Sequence, residues 1–118
     1  MSDKGGMKVA IVGSRYFGDL EKVRALVREL PKGSTVVSGG ASGVDQAAEE
    51  EARKHGLNVI VHRALWHKYG KSAGPIRNQK IVEDADELHA FWNSTSRGTK
   101  SAIVLARAKG IHVVIHED

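Results

Sequence analysis

From Val9 onward, short apolar runs alternate with amphipathic stretches in a regular beat. Val9–Val12, Val36–Val37, Val59–Val61, Leu88–Trp92 and Ile111–Ile115 are short and rich in β-branched or aromatic residues, which predicts strands. Most are continuously apolar, as parallel strands covered on both faces are. Helical spacing fills the gaps. Leu20, Val23, Leu26, Val27 and Leu30 form one stripe, with Asp19 placed as an N-cap and Pro31 and Gly33 as stop signals. Val44, Ala47, Ala48 and Ala52 form a second, ended by Gly56; Pro75 suits the first position of a third, running to about Asp84. Ala102, Ile103 and Ala106 form a fourth, ended by Gly110. The order β-α-β-α-β-α-β-α-β predicts an α/β domain on a parallel sheet. Residues 1–7 are polar and Gly-rich and read as a flexible tail, leaving 8–118 as one domain. The longest irregular stretch, about His62 to Gly74, is of a size that is usually functional.

Composition narrows the chemistry. A chain of 118 residues fits one domain, and 41% hydrophobic with 27% charged residues is a globular balance, not a disordered one. The absence of Cys excludes disulfides, iron–sulfur clusters, thiolate zinc sites and Cys nucleophiles. The run Val9–Val12 is far too short for a signal segment or a membrane span, so a cytoplasmic protein without a membrane partner is expected. Eighteen Lys and Arg against 14 Asp and Glu give a net charge of +4, which favours anionic partners. The cations are scattered, without the basic block of a nucleic-acid arm, so nucleic acid is expected to be an unlikely partner.

In an open parallel sheet, ligands bind beyond the carboxyl ends of the strands, where the strand order reverses. The loops expected there are Gly13–Gly18, Ser38–Asp45, Trp66–Asn78 and Asn93–Lys100. The second is the most distinctive: Gly39, Gly40 and Gly43 open a helix between Ser38 and Ser42. Glycines let backbone N–H groups approach a phosphate, and the helix N-terminus adds partial positive charge. It is neither a P-loop nor a dinucleotide fingerprint, because the Gly-Lys-Ser/Thr and G-x-G-x-x-G spacings are missing. Ser38 and Ser42 read as hydrogen-bond donors in this loop, and Asp45 as either a cap residue or a ribose contact.

Charge and ring placement point to the same edge. Cations are unfavourable at helix N-termini, yet Arg15 precedes the first helix, Arg77 is expected in the first turn of the third, and Arg97 and Lys100 flank the start of the fourth. A bound anion resolves that conflict. The six aromatic residues, Tyr16, Phe17, Trp66, Tyr69, Phe91 and Trp92, all fall near carboxyl ends of strands, which suits a nucleotide base or ribose; one or two of them, Phe91 first, are expected instead to make a dimer contact or a lid over the core. No metal is expected: His112 and His116 lie on a strand, about 13 Å apart on one face. No G-x-S-x-G nucleophile elbow occurs.

The series VGSRYF, VSGGASGVDQAAEEEA, WHKYGKSAGPIRN, ELHAFW and STSRGTKSAI resembles the SLOG superfamily of Rossmann-like proteins, and within it the small YspA/YpsA-related proteins of bacteria and phages. The resemblance spans about Val9 to Ile115. It implies a Rossmann-like three-layer sandwich that binds and senses a nucleotide or NAD/ADP-ribose derivative, in stress or phage defence, as a homodimer. Two relatives supply rival functions. LOG-type phosphoribohydrolases carry a PGGxGTxxE motif with a catalytic Glu; here Gly98-Thr99 is retained and Ala102 stands in the place of the Glu. Asp45 or Glu49, at the start of the second helix, is then the candidate for a substitute carboxylate, with Asp45 first. DprA-type proteins bind single-stranded DNA on a basic face.

These readings combine into one expectation. A five-stranded parallel sheet in the order 3-2-1-4-5, with helices on both faces, puts the switch point between strands one and four. Gly13, Ser14 and Arg15 form one wall, and Ser96, Arg97, Gly98 and Thr99 the other, beside Ser38, Gly39, Gly40, Ser42, Gly43 and Asp45. Arg77 is expected to clamp charge, Asn78 to donate to base or ribose, and Trp66 and Tyr69 to cover the base. The ligand is a small nucleotide, with no required cofactor.

Overall fold

The computed structural model describes residues 6–118. Strands β1 (Lys8–Gly13), β2 (Thr35–Ser38), β3 (Asn58–Val61), β4 (Glu87–Trp92) and β5 (His112–Glu117) form one sheet in the order β3-β2-β1-β4-β5. Every neighbouring pair is parallel, with Ala10 level with both Val37 and Leu88. The strand order is the expected one, and the fold is Rossmann-like.

Alternation along β1 builds the two cores. Val9 and Ile11 point to one face, where they meet Val23 and Val27 of α1 (Leu20–Arg28) and Val44, Ala48 and Ala52 of α2 (Val44–Lys54). Ala10 and Val12 point to the other. Beyond the short helix α3 (Trp66–Tyr69), that second face is covered by Ile81 and Val82 of α4 (Ala73–Asp84) and by Ala102, Ile103 and Ala106 of α5 (Arg97–Lys109). Burial on both faces is why β1 reads as an unbroken apolar run.

Several local expectations are corrected. Asp19 occupies the N-cap position of α1, but its side chain makes no capping bond. That helix ends at Arg28, where Glu29 N–H and Leu30 N–H tighten the last turn onto Leu26 and Val27 carbonyls before Pro31. Met7, assigned to the tail, packs against the core, and its carbonyl accepts from Thr35 N–H at 2.8 Å. Residues 1–5 of the expected tail lie outside the described residues. The stretch after β3 is partly helical, since α3 and a 3₁₀ turn, Gly70–Ser72, lead straight into α4. Helix α4 starts at Ala73, so Pro75 is its third residue; the missing N–H still falls in the turn that lacks internal acceptors. Lys109 Nζ closes the other end of α4 by donating to the carbonyls of Val82 and Glu83 at 2.8 and 2.9 Å.

Two of the aromatic residues belong to the core, Phe91 as expected and Phe17 with it. Phe17 and Phe91 meet edge to face, with ring centres 5.5 Å apart at 81°. Phe91 also stacks on His116, its neighbour across β4 and β5, at 4.3 Å. His116 in turn bonds His89, whose other ring nitrogen meets Glu87. Among the described residues no helix is long and apolar enough to cross a membrane, and no group of three His, Asp or Glu is placed to hold a metal ion.

Phe91 is fully buried and joins the sheet to the β1–α1 loop. Phe91→Ala is expected to cost about 3–5 kcal/mol in urea unfolding. A loss under about 1 kcal/mol would show that the cluster collapses into the space.

Candidate functional site

The carboxyl ends of β1, β2 and β4 open onto a cleft of about 160 Å³. Eight expected residues line it: Gly13, Arg15, Asp45, Arg77, Asn78, Ser96, Gly98 and Thr99. Val12, Ala41 and Ile81 complete it, which sequence reading did not assign. Val12 and Ile81 are core residues that also border the cleft.

A line of hydrogen bonds crosses this site. Arg77 Nη1 donates to the Gly39 carbonyl at 2.9 Å, and Arg77 Nε to Asn78 Oδ1 at 2.9 Å. Asn78 Nδ2 then donates to the Gly98 carbonyl at 3.1 Å. The end of β2 is thereby tied to the first turn of α5 through α4. Arg77 lies in the second turn of α4, not the first, because the helix begins at Ala73. Its cation is therefore placed partly by structure. A Cβ at Gly39 would fall 2.6 Å from Arg77 Nη1 and 2.9 Å from Asp45 Oδ2, so any larger residue there displaces the ends of these two side chains.

The glycine loop behaves differently from the expected phosphate cradle. Ala41 N–H donates to Asp45 Oδ2 at 3.2 Å, and Gly40 N–H reaches Ser38 Oγ at 3.4 Å. Two loop amides are thus directed at the chain's own side chains. The Ser38 hydroxyl is itself buried and donates to Glu49 at 2.6 Å, so it is no phosphate donor. Gly43, with φ +82°, starts α2 so close to the first loop that a Cβ would sit 2.5 Å from the Arg15 carbonyl. Asp45 is only 5% exposed. Burial pushes its carboxyl up to about 6; the Ala41 N–H and the Arg77 charge oppose that shift, and the Glu49 charge adds to it.

The opposite wall has its amides in a different state. Ser96 caps α5, its Oγ accepting from Thr99 N–H at 3.2 Å and Thr99 Oγ1 at 3.0 Å. Arg97 and Gly98 follow in the first turn, whose N–H groups have no acceptor within the helix. The approach to this helix is built by Asn93, whose Oδ1 accepts from Ser14 Oγ, Thr95 N–H and Ser96 N–H at 3.0–3.3 Å. Asn93 was absent from the expected site; an Asn just after a strand and before a Ser/Thr cluster is the signal that would have found it. Ser14 is buried in this tie and does not line the cleft.

The remaining expected residues are dispersed. Gly40 and Ser42 line a neighbouring hollow with Arg53 and Arg63. Arg97 is exposed at the start of α5. Trp66 and Tyr69 are 58% and 37% exposed on α3 and do not line the cleft. A second hollow, beyond Arg15 and Ser96, is flanked by Tyr16, which is 81% exposed. Ala102 is buried in the core beneath α5.

The family model described as the YspA, cpYpsA-related SLOG family matches residues 7–69. The chain is also 41% identical over 117 residues to the Gene 61 protein of Mycobacterium phage D29, covering 91% of this chain and 94% of that protein. The chain belongs to the YspA/cpYpsA-related SLOG family. Among solved structures, this SLOG domain is similar to DNA processing protein A (DprA) from Streptococcus pneumoniae, with a TM-score of 0.80 at 22% identity over 92% of the chain. It is also similar to DprA from Helicobacter pylori, with a TM-score of 0.76 at 24% identity over the same share. It spans 50% of the first protein and 64% of the second. At these identities the likeness establishes the fold. The Helicobacter protein is described by its single-stranded DNA binding mode. That finding overturns the expectation that nucleic acid is an unlikely partner: a modest net charge and scattered cations do not separate this fold from DNA binders.

Asp45 yields a prediction with a fixed sign. Its folded value, about 6, lies above the ordinary 3.8. The folded state therefore holds the extra proton between these values, and stability falls as pH rises through that window. Above it the cost of the buried charge is fully present, of the order of 1–3 kcal/mol. Asp45→Asn keeps an acceptor for Ala41, so it is expected to be more stable than the parent at pH 7 by that order and to match it near pH 4. Urea unfolding at the two pH values checks this; a gain that does not shrink on acidification contradicts it.

Proposed function

We propose that the switch-point cleft binds a nucleotide-type ligand and that the protein works as a binder or sensor of it. The observation that carries this reading is the convergence of Arg15, Arg77 and the first turn of α5 on one cleft at the reversal of strand order. Positive charge and the helix N-terminus favour an anion there, although the Thr99 N–H is already held by Ser96 Oγ. Arg15 is exposed and faces both the cleft and the hollow beside Tyr16, so it reaches a phosphate without giving up a structural bond. Among the described residues, Asp45 is the only carboxylate lining the cleft. One of its oxygens is held by Ala41 N–H, and buried Ala102 stands where LOG enzymes have their Glu, which supports binding over glycosidic cleavage.

A second reading, single-stranded DNA, has an observation of its own. The cleft shares Ala41 with the hollow that holds Arg53 and Arg63, and Arg15 and Ser96 with the hollow beside Tyr16. Three adjoining depressions with cations and an exposed ring suit consecutive nucleotides, although Glu49 and Glu50 also line the hollow of Arg53 and Arg63.

Thermal unfolding separates the two readings. A nucleotide at about 100 times its Kd adds roughly 2.7 kcal/mol, or about 10 °C at this size. Such a rise is expected with an adenine nucleotide or an ADP-ribose-type compound. Arg15→Ala should remove most of the rise while leaving the ligand-free midpoint nearly unchanged. Arg77→Ala should lower that midpoint as well, because the Gly39 carbonyl loses its donor. Flat midpoints across the nucleotide panel, with oligonucleotide binding that fades steeply between roughly 50 and 200 mM salt, would replace the first reading with the second.

A further inference from the structure

We propose that α3 and the residues beside it form a docking surface for a protein segment that carries carboxylates and apolar side chains. Trp66 and Tyr69 do not line the cleft, so the inference stands apart from the nucleotide reading.

The apolar part is concentrated. Among the described residues five large apolar side chains are exposed, and three of them, Leu65, Trp66 and Tyr69, fall within five positions. They belong to an unbroken exposed run, 65–72, that spans α3 and the 3₁₀ turn after it. Single exposed apolar residues are ordinary, whereas a cluster of them rimmed by polar groups marks a contact surface. Trp66 is also held in place. Its ring rests on the start of α4, where a Cβ on Gly74 would stand 3.4 Å from Trp66 Cη2. A ring seated on helix backbone loses less freedom when a partner covers it.

Charge says what the partner carries. The net +4 is unevenly spread, since no Asp or Glu occurs between Glu51 and Glu83. Arg63, Lys68 and Lys71 flank the apolar trio in the chain, and among the described residues none of the three pairs with a carboxylate. Arg63 donates to the Gly40 carbonyl at 3.2 Å, and it shares a hollow with Glu49 and Glu50 without pairing with either. Lys68 Nζ stands over the Tyr69 ring, 5.1 Å from its centre. Unpaired cations around an apolar patch are complementary to an anionic partner. A single-stranded nucleic acid is anionic too, but it is held by a succession of open ring faces. Here Leu65 offers no ring, and Lys68 already occupies the Tyr69 ring. Trp and Tyr beside an aliphatic residue, with a cationic rim, have the make-up of a protein contact.

Selection of displayed random peptides of about 12 residues on the parent chain tests this. The winners should be net negative and carry at least one large apolar anchor. A synthetic copy of the leading winner should lose about 10-fold or more in affinity on Trp66→Ala, the scale of an interface anchor. The double change Lys68→Glu with Lys71→Glu should cost as much, and binding to the parent should weaken as salt rises from about 50 to 500 mM. All three positions are exposed, so the variants should keep the parent's urea midpoint. Arg15→Ala, in the cleft, should leave the peptide's affinity unchanged. No winners, or neutral or basic ones, overturn the inference. So do winners whose affinity survives both Trp66→Ala and the charge reversal. A parent dimer that Trp66→Ala dissociates would make the occupant a second copy, and the inference would fall. It falls as well if oligo(dT) or phosphatidylserine vesicles bind in a Trp66-dependent way and no peptide does.

Discussion

The site depends on the hydrogen-bond line from the Gly39 carbonyl through Arg77 and Asn78 to the Gly98 carbonyl. At a switch point, neighbouring strands send their chains to opposite faces of the sheet, and the loops part. Nothing in the strand ladder fixes the width of the resulting gap. Here α4, which packs on the face shared with α5, reaches across it with two consecutive polar side chains. The bonds combine a guanidinium donor with backbone and amide acceptors, a class worth about 1.5–3 kcal/mol each when charged. The cleft is thus held open by its own scaffold.

That arrangement changes the role of the glycine-rich loop. Its sequence has the composition of an anion cradle, yet Asp45 and Ser38 turn back on its amides. The loop is a wall that carries an internal carboxylate, with Ser96, Gly98 and Thr99 of the α5 start lining the same cleft. Burying Asp45 costs stability, since desolvation dominates its shifted titration. Glu49, just behind it, is satisfied by Ser38 and stays structural.

The candidate site was partly legible in the chain. Arg15, Asp45, Arg77, Asn78, Ser96, Gly98 and Thr99 were all expected, because Gly-rich and cation-bearing segments that start helices announce themselves locally. Ser38 and Ser14 were misread because a hydroxyl in a loop looks the same whether it faces a ligand or a buried partner 11 or 79 positions away. Trp66 and Tyr69 were assigned to the base because they follow a strand, but α3 carries them away from the cleft. Tyr16 was read as one ring among several, and its exposure singles it out.

By itself the sequence determined the element order, the parallel sheet and the strand arrangement. Hydrophobic periodicity and the handedness of β-α-β crossovers are short-range physics, and they leave few ways to wind a chain of this kind. It also determined which loops meet at the carboxyl edge, since that follows from the topology alone. Only the tertiary structure decided which polar atoms in those loops are spent on the protein and which remain for a ligand. That choice depends on partners distant in sequence, such as Gly39 with Arg77 and Ser14 with Asn93, and on angstrom-scale distances that no spacing pattern encodes. It also decided that Phe17 and Phe91 fill the core while Tyr16 stays in solvent, because packing on both faces of the sheet, and not residue type, assigns a ring to the interior.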